Sequence, residues 1–154
     1  MPVDLKENLV RNLDSALKHY TQDLEALPEE ALLNAPAPAA RAAIDYSYEV
    51  AFVNRHIAGV LRGESPAWPE MDGWMTCPDP LRNKAAIIEE VNSSVEVLKA
   101  SLGDDVAREM PNPMGEGTRT AFDVASFMAM HMNYHDGQLN LLQSIHGDGE
   151  MNWK

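Results

Sequence analysis

The 154-residue chain is 45% hydrophobic, which supplies enough apolar side chain for a core within one domain spanning residues 1–154. Twenty-four acidic side chains against twelve basic ones give a formal charge of −12, which repels phosphate backbones and anionic lipid and argues against a nucleic-acid partner. Cys77 is the only cysteine, so an intramolecular disulfide framework is excluded and a reducing compartment fits.

The first residues, Met1-Pro2-Val3-Asp4-Leu5-Lys6-Glu7, lack the basic and apolar regions of a secretion signal. No apolar run approaches the roughly 20 residues of a membrane span. A soluble, cytoplasmic protein with no membrane partner is expected.

Leu5, Leu9, Leu13, Ala16, Leu17, Tyr20 and Leu24 recur at three-to-four spacing and predict a helix over about 3–27, with Asp4 as its cap and Glu7 completing a capping box. Three prolines between Pro28 and Pro38 break the pattern before a second periodic run over about 39–62, ended by Arg62-Gly63. Residues 63–78, with Pro66, Trp68, Pro69, Gly73 and Trp74, read as an ordered crossover loop. Asp79-Pro80 opens a third helix over about 80–102, in which Ile88, Val91, Val95, Leu98 and Leu102 repeat. A second irregular stretch over about 103–119 precedes Thr120 and Asp123, a capping-box pair that starts the last helix; Gly147 stops it. Four amphipathic helices, long connections and no alternating strand pattern predict an all-α four-helix bundle with long crossover connections.

The inward stripe of the last helix reads Val124, Met128, His131, His135, Leu139 and Leu142, so two imidazoles stand where aliphatics are expected. Residues four apart stack on one helix face, and neutral imidazole is a good ligand for zinc or nickel. A third ligand must come from another helix. The second helix offers Asp45, Glu49, Phe52, Val53, His56 and Val60 on a shared stripe, with Glu49 central and His56 the alternative two turns away. A buried carboxylate is disfavoured unless paired, whereas a cation held by Glu49, His131 and His135 neutralises it and leaves coordination positions open.

Asn54, Tyr134, Asp136 and Gln138 are candidates to orient these ligands or to contact a substrate, although exposed helix polarity explains each of them equally well. Met128, Met130 and Met132, with Phe122 and Phe127, fit core packing or a pocket lining. Trp68, Trp74 and Trp153 are expected to anchor the crossover and tail, or to lid a pocket. His19 and His146 stand alone, and Cys77 has no neighbouring basic motif to activate it. No catalytic residue beyond the ligands is named by the pattern. The chain lacks the Glu-x-x-His repeat of di-iron bundles and the His-Glu-x-x-His motif of zincins, which leaves a mononuclear site.

The segment from His131 to Leu139, with its His-x-x-x-His pair followed by Gly137-Gln138-Leu139, resembles the last-helix signature of the DinB/YfiT-like superfamily. The helix order and long connections extend the likeness over nearly the whole chain. The resemblance implies an up-down-down-up four-helix bundle with one metal ion, often zinc or nickel, bound by three residues. It also implies an activity like that of the family's thiol S-transferases or its thiol-dependent isomerase, with a low-molecular-weight thiol as cosubstrate and a small-molecule substrate. Glu49 stands where the family usually has a histidine. Two functions follow as expectations: a metal-dependent transferase or hydrolase, or a non-catalytic binding or stress-response module of the same fold. A homodimer is expected from the resemblance and from apolar residues on several sides of the last helix, such as Phe127 beside Met128.

Overall fold

The computed structural model describes residues 4–154, so Val3, predicted to begin the first helix, lies outside the described residues. Four long helices carry the fold: α1 (Leu5–Ala26), α3 (Ala43–Leu61), α4 (Lys84–Ala100) and α5 (Ala121–Ile145). The short helix α2 (Glu29–Leu33) follows α1, and strands β1 (Glu109–Pro111) and β2 (Thr118–Thr120) lie between α4 and α5. The main packing is α1 on α5 and α3 on α4, with α1 on α4 and α3 on α5 closing the ring. The all-α bundle with long connections is therefore the observed fold.

α1, α4 and α5 each start where a side chain satisfies a free amide, whereas α3 starts after Ala42 without a side-chain cap. Asp4 accepts the Glu7 N–H at 3.0 Å, while the Glu7 carboxylate faces Arg11 at 3.9 Å along the helix surface. Thr120 and Asp123 form the reciprocal capping box of α5. The start of α4 differs from the expectation: Asp79–Leu81 form a separate 3-10 turn, and Asn83 caps the helix by accepting the Ala86 N–H. Ile87, one position before the predicted Ile88, is the fully buried residue, and Ile88 packs half-buried against the core. Gly147 ends α5 at a φ of +90°, a conformation that L side chains rarely adopt.

Three further differences have local causes. Leu5 is exposed, as the opening residue of α1, whose buried face begins one turn later at Leu9. The proline segment contains α2, which buries Ala31 and Leu32. Residues 109–120 form an antiparallel hairpin, pairing Glu109 with Thr120 and Pro111 with Thr118. Elements of three to five residues are too short to show a period, so the sequence pattern cannot register them.

Leu9, Leu13, Leu24, Val50, Ile57, Val91, Leu98, Met128 and Leu139 are among the side chains filling the centre. Polar groups inside it are paired across helices. Tyr20 of α1 and Ser47 of α3 share a buried hydrogen bond of 2.8 Å. Tyr20→Phe is expected to lower stability by about 1–2 kcal/mol, since the Ser47 hydroxyl is left without its partner in a dry site. Urea denaturation checks it, and an unchanged midpoint would show that the bond contributes nothing net. Asp23 of α1 is the acceptor for three donors: Asn140 at 2.7 Å, Gln143 at 3.1 Å and the indole of Trp153 at 2.7 Å. Trp153 also stacks on His19, at 4.2 Å between centroids, so the tail is anchored on α1.

Candidate metal centre

α3 and α5 run side by side, and each contributes to one polar cluster at their contact. Glu49, His131 and His135 each offer a ligand atom, and the three atoms lie within 4.8 Å of one another. Glu49 Oε1 is 3.5 Å from His131 Nε2 and 3.6 Å from His135 Nε2, and the two imidazole nitrogens are 3.2 Å apart. One divalent ion can be reached by all three.

The donor set fits such an ion for a further reason. His135 Nδ1–H donates to Gln138 Oε1 at 2.6 Å, which fixes the tautomer and leaves the Nε2 lone pair facing the cluster. Gln138 is one turn farther along α5, so the same helix supplies the ligand and its orienting partner. Tyr46 of α3 stacks flat on His135, with centroids 5.1 Å apart and planes within 8°, and holds the ring from one face. Phe127 stacks on His131 in the same manner at 6.3 Å. His131 Nδ1 is buried without a hydrogen-bond partner among the described residues.

Glu49 is anchored from outside by Arg41, whose Nη2 lies 2.6 Å from Oε2, leaving Oε1 for the imidazoles. Burial pulls the Glu49 carboxyl upward, yet the facing His131 and His135 and the Arg41 guanidinium outweigh it and hold the group well below the usual carboxylate range. Glu49 is therefore ionised at neutral pH, as a ligand requires.

The remaining sequence candidates are distributed differently. Tyr134 meets His135 edge-on at 5.0 Å but is 65% exposed. Asn54 is buried on the other side of α3, where its amide donates to Ser94 of α4 at 3.1 Å, so it faces away from the cluster. His56 packs against Phe52 and against the edge of Trp68, and is not among the grouped donors. The stripe predicted on α3 is its half-buried side; the core side carries Ala43, Ser47, Val50, Asn54 and Ile57. Cys77 is buried, and desolvation pushes its thiol up to about 11, so it is not a ready nucleophile. Burial, followed by the facing Asp23 carboxyl, pushes Asp136, the neighbour of His135, up to about 8.

Two residues escaped the sequence reading. Arg41, eight positions before Glu49, falls inside the run predicted as helix over about 39–62, but α3 begins only at Ala43, so Arg41 lies in the irregular approach to it. Tyr46 occupies a core position, where a phenol reads as packing. Both also line a cleft of about 290 Å³, with Trp74, Gln138, Leu141 and Ile145 among its other walls. Arg41, Tyr46 and Gln138 each touch a member of the cluster, so this cleft adjoins it, with these three side chains standing between the cleft and the donors. A larger groove of about 690 Å³ between α1 and α5, bordered by His19, Asn133 and Trp153, also includes none of the three donors, and none of Arg41, Tyr46 and Gln138 that touch them.

The comparisons with known proteins agree with the fold. No curated protein matches the chain. A crystal structure of a conserved protein from Enterococcus faecalis is similar to it at a TM-score of 0.71 and 14% identity, covering 96% of this chain and 100% of that one. At that identity the likeness concerns the fold alone. The sequence model of the DinB superfamily matches residues 12–139, a span that contains α3, α4 and all three clustered donors. The chain belongs to the DinB superfamily.

Proposed function

We propose that this chain is a mononuclear metal-dependent enzyme acting on a small molecule, as a thiol S-transferase or a metal-assisted hydrolase, with Glu49, His131 and His135 as its metal ligands. The single observation that carries the reading is the convergence of these three donors beside a cleft. Three protein ligands leave positions free for substrate, which is the arrangement of catalytic rather than structural sites. A zinc or nickel ion bound there would supply Lewis acidity and lower the pKa of a thiol or water beside it. The chain's own part is to orient and to exclude water. Gln138 and Tyr46 fix His135, Arg41 fixes Glu49, and the apolar walls of Leu141 and Ile145 shield one side. A low-molecular-weight thiol is the proposed cosubstrate. No described helix is long and apolar enough to cross a membrane. The free Cys77 and the net charge of −12 favour a cytoplasmic setting without nucleic acid.

Elemental analysis of tag-free protein, followed by a screen for thiol-dependent activity, tests this reading. About one zinc or nickel per chain with thiol-dependent turnover is the expected result. Metal-free protein would leave the non-catalytic binding module as the function.

A homodimer is the proposed assembly. Met130 and Tyr134 stand exposed one turn apart on α5, outside the cleft. Tyr134→Asp is expected to halve the mass seen by light scattering. A wild-type monomer at high concentration would remove the proposal.

A further inference from the structure

Among the residues lining the cleft beside the cluster, Arg41 is the only charged one; Tyr46 and Gln138 are its neutral polar groups, and Pro36, Trp74, Leu141, Leu142 and Ile145 are apolar. A cationic wall is unusual on a chain that carries twice as many acidic as basic residues. A guanidinium has five N–H donors in a fixed fork. Arg41 uses Nη2 for Glu49 Oε2 at 2.6 Å and for the Met75 carbonyl at 3.3 Å. Its Nε is buried and has no partner among the described residues. The Arg41 side chain as a whole is 18% exposed and forms part of the cleft wall, so its guanidinium is the charged group that an acceptor in the cleft meets.

The platform beneath the guanidinium defines the rest of the ligand. Trp74 carries Arg41 over its ring at 4.9 Å to the centroid and is otherwise largely exposed, so the rest of the ring is free to receive an apolar body. Leu141 and Ile145 form the facing wall. A volume of about 290 Å³ is at the low end for small-molecule sites. Electrostatics point the same way. With a divalent ion in place, that ion and Arg41 together outweigh the single carboxylate of Glu49, so the loaded centre favours an anion.

We infer that the cleft takes a small carboxylate with an apolar, preferably aromatic, body, its anionic end held by Arg41 and its body resting between Trp74 and the Leu141–Ile145 wall. The inference rests on the reading of a metal centre adjoining this cleft, and it names the substrate class of that site. Arg41 is then a specificity residue that also positions Glu49.

Benzoate and benzamide have the same ring and differ in charge, so they serve as probes. Calorimetric titration of both into zinc-loaded and metal-free protein is the test, with zinc content measured in every sample. Wild-type protein is expected to bind benzoate about tenfold tighter than benzamide, as a charge-assisted contact does. Arg41→Gln should remove that preference by weakening benzoate about tenfold while leaving benzamide unchanged. Trp74→Ala, at an exposed position that does not threaten folding, should weaken both probes by the same factor. Equal affinities for the two probes on the wild type, or benzoate binding untouched by Arg41→Gln, would overturn the inference. If Arg41→Gln loses zinc, the metal-free titrations decide between these outcomes. Protein that refuses zinc yet prefers benzoate sinks the metal reading and leaves the carboxylate site standing; zinc-loaded protein with no preference does the reverse.

Discussion

His131→Ala and His135→Ala are each expected to weaken metal binding by at least about a hundredfold, beyond what loss of an orienting partner causes, while leaving most of the helical content. The two imidazoles come from one helix, so either substitution removes half of what α5 contributes and leaves two donors. His135→Ala carries an additional cost of about 2 kcal/mol, because the ring is buried against Tyr46 and its removal opens a cavity. His131 is less enclosed, and its substitution should affect stability less. Elemental analysis and circular dichroism on the same samples separate the two effects. Unchanged stoichiometry in both variants would refute the site.

Glu49→Gln should also weaken the metal strongly, since it removes the only anionic ligand and leaves Arg41 facing a neutral amide. Glu49→His should restore or tighten binding by presenting three imidazoles. His56→Ala should matter little, because His56 lies among Phe52 and Trp68, outside the donor group. Competition titrations with a chromogenic chelator measure all three. If His56→Ala abolished binding while Glu49→Gln left it intact, the centre would lie farther along α3, beside the groove that His56 shares with Pro66 and Arg108.

The convergence of Glu49, His131 and His135 was legible because each interrupts a periodic apolar run, and a helix converts spacing into facing direction. The long helices were legible for the same reason, and the caps Asp4 and Thr120 marked two of their starts. What was not legible depends on contacts between distant segments. Arg41 reaches Glu49 only because the irregular segment before α3 folds over its half-buried side, and no local pattern encodes that. Asn54 belonged by sequence to the same helix as Glu49, but its angular position turns it towards Ser94 of α4. Asp23 offered a signal, an acid within the apolar stripe of α1, yet its donors Asn140 and Trp153 lie more than a hundred residues away.

The Asp23 cluster has a bearing on α5 as a mechanical part. Asn140 and Gln143 tie α5 to α1 through Asp23, whereas His131 and His135 meet Glu49 of α3. The helix is thereby clamped against rolling and sliding, like a shaft held by a key. In the proposed centre, two of the three donors are thus aimed when the chain folds, which would leave little ordering entropy to oppose an ion. Loosening that key, at a distance from the ion and without touching any ligand, would let both imidazoles drift from Glu49 together.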